Sequence, residues 1–142
     1  MGRFLVNLFG ISFLLNFVWE ISQMGLYAMS GMGIRSDYGQ FLAIHWQVSL
    51  KDALMVVAMY AIVAILMRRW DWAADVHYGW AIFVVGLVSW QTAIECYSVY
   101  VAGRWAYAPA MPLLFGIGFA PLAQMALLPL IALLWARLSL RK

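Results

Sequence analysis

Two glutamic acids, Glu20 and Glu95, stand inside long apolar runs where a carboxyl group is rare. Around the first, Asn16, Glu20 and Gln23 recur at i, i+4 and i+7, so a helix places all three on one face, with Trp19 alongside. Around the second, Gln91, Thr92 and Glu95 gather on another helical face. Asp52, after Lys51, opens a third apolar run, and Gln124 falls near the middle of a fourth. A carboxyl group at membrane depth costs a few kcal/mol to insert, so it usually faces a bundle interior and usually has a task. Two acids held close together share a proton rather than both ionising. The chemistry predicted is proton transfer, either to a substrate or along a path.

The elements that must position these residues are helices in lipid. Hydrophobic residues make up 66% of the 142 and charged ones only 11%, too few to cover a water-soluble globule. Four apolar segments stand out: Phe4–Met29, Leu50–Met67, Tyr78–Ala102 and Leu113–Leu138. At 1.5 Å per residue each can cross a hydrocarbon core of roughly 30 Å. None alternates as barrel strands do, so the predicted fold is a single all-α domain, residues 1–142, built as a polytopic four-helix transmembrane bundle. The first run is longer than a signal-peptide core of about 7–15 residues and carries Asn16 and Glu20, so it reads as a retained helix.

Orientation follows from the basic residues. Arg3, Arg68, Arg69, Arg137, Arg141 and Lys142 fall at the end of the two termini, and Arg35, Lys51 and Arg104 at the other. The excess predicts both termini in the cytoplasm and a multi-pass protein of the inner (plasma) membrane. The acids then lie in the outer half, Glu20 and Glu95 about 5–8 Å from the bilayer centre by helical rise. Phe41–Trp46 reads as a short amphipathic helix along the interface. Gly103–Pro112 reads as a rigid lid, because Gly103 can end a helix and two prolines restrict the residues after it. Pro121 and Pro129 should kink helix 4 beside Gln124.

Several function classes drop out. The net charge of +3 sits on helix-end anchors, so nucleic acid is not an expected partner. Cys96 is the single cysteine, which excludes an intramolecular disulfide and a two-thiol redox cycle. His45 and His77 fall at opposite ends of the bundle, no zinc-like spacing occurs, and no metal or cofactor is expected. Phosphate loops and nucleophile elbows are missing too.

The predicted catalytic residues are Glu20, Glu95 and Asp52, the last of which also reads as a solvated acid near a helix N-terminus. His45 with Asp52 would make an acid–base pair. Predicted to line the substrate site are Asn16, Trp19, Gln23, Gln91, Arg104, Trp105, Tyr107 and Gln124, with aromatic faces suited to a cationic intermediate. The plainer reading pairs Arg104 with Glu20 or Glu95 and makes the glutamines interhelical glue.

Asn16-Phe17-Val18-Trp19-Glu20 with Gln23 and Leu26-Tyr27, and later Gly103-Arg104-Trp105-Ala106-Tyr107 with Met111-Pro112, resemble a small, uncharacterised group of bacterial four-helix membrane proteins. A Trp-Glu pair on one membrane helix and another acid two helices later is also similar to the integral-membrane terpene cyclases and the emopamil-binding sterol isomerases. That resemblance implies that Glu20 and Glu95 protonate an alkene or epoxide, with Trp19 and Trp105 near the cation. Three functions are therefore expected to compete: an isomerase or cyclase acting on a lipophilic isoprenoid or lipid, a proton-coupled transporter working as a homo-oligomer, or an accessory subunit of a larger membrane complex.

Overall fold

The computed structural model describes residues 1–28, 38–74 and 78–139. Arg35, His77, Arg141 and Lys142 lie outside the described residues. Among the described residues, four helices are long and apolar enough to cross a membrane. They are α1 (Gly2–Gln23), α2 (Tyr38–Leu66), α3 (Tyr78–Cys96) and α4 (Phe119–Leu138). Their lipid-facing sides carry exposed Leu14, Val18, Ile65, Val85 and Leu134, as expected of helices whose outer solvent is hydrocarbon. α1 packs between α2 and α4, and α3 packs on α4, leaving α2 and α3 the more sparsely packed pair.

The bundle interior is sorted along its axis. Toward the termini it is apolar, with the rings of Phe4, Tyr60, Trp72 and Phe83 in tilted contact at centroid spacings of 5.0, 5.0 and 5.7 Å. The Tyr60 hydroxyl donates to the Trp70 carbonyl and the Trp72 indole to the Tyr60 carbonyl, so the polar atoms of this cluster are matched. Toward the other end, hereafter the distal end, buried polar residues take over: Asn16, Gln23, Ser49, Gln91, Glu95 and Gln124. In lipid, helices associate through close packing and interhelical hydrogen bonds rather than hydrophobic burial. The fold uses the first device at one end and the second at the other.

The starts of α2 and α4 differ most from the sequence reading, each for a local reason. α2 starts at Tyr38, well before the apolar run at Leu50, so Phe41–Trp46 is its first part and not a separate interfacial helix. α4 starts at Phe119, because Leu113–Leu114 and Ile117–Gly118 pair as strands β1 and β2. Phe115 and Gly116 between them have φ of +51° and +86°, the left-handed pair that a two-residue hairpin turn requires. Pro121 consequently falls in the first turn of α4, where no intrahelical N–H bond is lost, and only Pro129 is interior.

α3 does not end cleanly at Cys96. Tyr97–Val101 widens into a π turn in which the Ala102 N–H reaches the Tyr97 carbonyl at 2.8 Å. Gly103 then takes a left-handed φ of +57° and the chain reverses. The strap beyond it pairs with the exit of α1: Ala28 N–H donates to the Ala106 carbonyl at 2.8 Å and Ala108 N–H to the Leu26 carbonyl at 2.9 Å. The lid expected over this end is therefore a two-stranded closure, with Tyr27 opposite Tyr107.

Candidate active site

Gln124, in the second turn of α4, is the hub of the distal interior and is 1% exposed. Its side-chain nitrogen donates toward Asn16 Oδ1 at 2.8 Å, Glu20 Oε1 at 3.0 Å and Asp52 Oδ2 at 3.1 Å. Its carbonyl oxygen accepts from Gln23 Nε2 at 3.1 Å. Gln23 Nε2 also reaches Glu20 Oε1 at 2.9 Å, and its Oε1 accepts from the Trp19 indole at 3.0 Å. An amide nitrogen carries two hydrogens, yet three oxygens compete for those of Gln124. Gln23 Nε2 shares Glu20 Oε1 with it, so the two amides together offer four hydrogens to the four oxygens they contact.

Asp52 reaches this hub because α2 begins early. The residue sits near the middle of a 29-residue helix and is not a solvated terminal acid. The ring of His45 does not turn to it; Nδ1 lies 2.8 Å from the Phe41 carbonyl one turn back. His45 is nonetheless buried and within electrostatic range of Glu20. On its other side, Asp52 lines a cavity of about 400 Å³ between α2 and α3, whose walls include Met55, Met59 and Trp90.

Glu95 has a different setting. It is 2% exposed and four donors converge on it. Oε2 accepts from the Tyr107 hydroxyl at 2.7 Å and the Trp105 indole at 3.2 Å. Oε1 accepts from the Tyr27 hydroxyl and Gln91 Nε2, both at 3.3 Å. These donors match the lone-pair sites of a carboxylate. Burial first, and then the adjacent Glu95 carboxylate, push the Tyr27 phenol well above its ordinary range, and burial chiefly does the same to Tyr107. Both tyrosines therefore stay donors.

Arg104 joins neither acid. It is exposed, with its guanidinium 5.3 Å from the centre of the Tyr97 ring, and among the described residues the only ion pair is Arg69–Asp71 at the opposite end. Nor do the described residues contain a cluster able to hold a metal ion. Asn16, Glu20, Gln23, Asp52 and Gln124 are brought together by hydrogen bonds, with Trp19 attached through Gln23. Gln91, Trp105 and Tyr107 gather on Glu95. The two groups adjoin, for Glu20 and Asp52 each lie within electrostatic range of Glu95.

Comparison of the chain with protein-family profiles, with curated proteins and with solved structures matched nothing. Any functional reading therefore rests on the geometry. Sequence reasoning assigned no role to Tyr27, although it continues the spacing of Asn16, Glu20 and Gln23 by four residues. That spacing was the available signal.

Proposed function

We propose that this chain is a multi-pass enzyme of the inner (plasma) membrane, both termini cytoplasmic, that protonates and rearranges a lipophilic isoprenoid or related lipid. The observation that carries the reading is the shared nitrogen of Gln124. It gathers buried carboxyls from α1 and α2 on one donor, an arrangement suited to sharing one transferable proton between them. Asp52 is the acid that faces the cavity, and Glu20 is its partner in the pair. The proton passes from the carboxylic acid to an alkene carbon, and the carbocation then releases a proton from a neighbouring carbon to a carboxylate of the pair. The double bond has moved and the site has its proton back, so no other reactant is needed.

Trp90 supports this role, since it lines the same cavity and an aromatic face attracts a passing cation. Glu95 is better suited to positioning than to donation, because its lone pairs are occupied by the strap and by Tyr27 beyond the end of α1. The resemblance to membrane terpene cyclases and sterol isomerases points the same way, with the donor role shifted from Glu95 to Asp52.

Native mass spectrometry of the purified chain, followed by chromatographic separation of the released lipid's double-bond isomers, tests the reading. A defined lipophilic molecule should accompany the wild type and remain with Asp52→Asn as unreacted substrate. The same reacted lipid on both proteins contradicts it.

A further inference from the structure

α2 and α3 come close where Met59 rests on Gly86: a Cβ added to Gly86 would stand 2.7 Å from the methionine sulfur. Elsewhere the pair is loosely packed, and the cavity of about 400 Å³ occupies the space between them. From Lys51 to Ile62 it follows α2 for about 16 Å by helical rise. Its walls are Met and aliphatic side chains, with Trp90 and Ile94 from α3, and several are exposed on the lipid-facing side of the bundle. A hydrocarbon chain can therefore enter it sideways from the bilayer. Its distal end is polar: Lys51 is exposed and in no ion pair among the described residues, and Asp52 is next to it in the chain.

We infer that this groove is the binding site of an allylic prenyl phosphate, with the phosphate on Lys51 and the chain lying between Met59 and Trp90. The inference rests on the general-acid reading and gives it a substrate class. A lone cation at the mouth of an apolar groove selects an amphiphile with an anionic head. The position of Asp52 selects among such amphiphiles. An allylic prenyl phosphate carries its first double bond beside the head group, which lies at Asp52 once the phosphate reaches Lys51. A fatty acid usually carries its double bond far down the chain, beyond the carboxyl of Asp52. Protonation of the prenyl phosphate at C2 gives a tertiary cation at C3, and loss of a proton from a carbon next to C3 gives the isomer with its phosphate intact.

Binding to the full chain in detergent tests this apart from turnover, using farnesyl phosphate, farnesol and oleate as probes. Wild type and Asp52→Asn should both bind farnesyl phosphate, and more tightly than either other probe. Ala58→Trp fills the groove from a lipid-exposed position and should weaken that binding tenfold or more. Ile94→Trp fills it from α3 and serves if the first variant folds poorly. Lys51→Gln should abolish the preference for the phosphate over farnesol. Unchanged affinity in a folded groove-filling variant overturns the site, and equal binding of farnesol or oleate by the wild type overturns the substrate class. If the binding holds while no proton transfer is ever detected, the general-acid reading has failed and the binding site stands.

Discussion

The Tyr107 hydroxyl donates to Glu95 Oε2 at 2.7 Å, so the strap leaving α3 is fastened to a buried acid on the same helix. The contact is a hydrogen bond to a charged acceptor when Glu95 is ionised, and it is the shortest of the four made to this side chain. Tyr107→Phe should lower stability by about 1–3 kcal/mol. Thermal unfolding in detergent reads the loss. Gly118→Ala should act in the same direction, since a Cβ there would stand 2.8 Å from the Tyr107 ring.

Gln124→Leu keeps much of the volume of the hub and removes its hydrogens. Asn16, Glu20 and Asp52 then lose a shared donor, and each buried acceptor left unmatched costs about 1–3 kcal/mol. Combining it with Asp52→Asn should give a loss smaller than the sum of the two single losses, with a coupling of about 0.5–3 kcal/mol. Simple additivity would separate Asp52 from the network.

Alkaline pH should weaken the closure of the distal end. Tyr27 and Tyr107 have folded-state values above the unfolded one, so their contribution is whole below about pH 10 and declines as pH rises past it. Melting temperature measured from pH 9 upward should fall more steeply in wild type than in the Tyr27→Phe, Tyr107→Phe double variant. Parallel curves would mean that neither phenol is held in its neutral form.

The opposite end makes a separate test of packing. A Cβ on Gly79 would meet Trp72 Cε3 at 2.5 Å, and that ring is wedged between Tyr60 and Phe83. Gly79→Ala should therefore destabilise by about 1–3 kcal/mol through overpacking. Trp72→Phe in the same chain should recover part of the lost melting temperature. The Gln124 network lies in the other half of the bundle, so binding of a lipophilic probe should persist in whatever Gly79→Ala protein is folded.

The four spans were legible because an uncharged apolar run has few structures open to it in lipid. The face shared by Asn16, Glu20 and Gln23 was legible because helical period alone fixes it. Other features depended on backbone angles and partners that hydropathy does not register. Leu113–Gly118 is as apolar as a helix, and only the left-handed pair at Phe115 and Gly116 makes it a hairpin. Asp52 looked terminal because Lys51 and His45 interrupt the apolar pattern, whereas α2 runs through both. Arg104 looked like the natural partner of an acid, but the reversal at Gly103 leaves it over Tyr97 and sends Trp105 and Tyr107 inward instead.

The most direct measurement is deuterium transfer. The purified chain would be incubated in D2O buffer with farnesyl phosphate and, separately, with lipids extracted from bacterial membranes, and each lipid weighed by mass spectrometry. On the proposed general-acid reading the proton shared by Glu20 and Asp52 exchanges with solvent, so wild type should place deuterium on carbon in a lipid that Asp52→Asn leaves unlabelled and Glu20→Gln labels far more slowly. Label appearing equally with all three proteins, or on no lipid with the wild type, would mean that these acids do not protonate carbon.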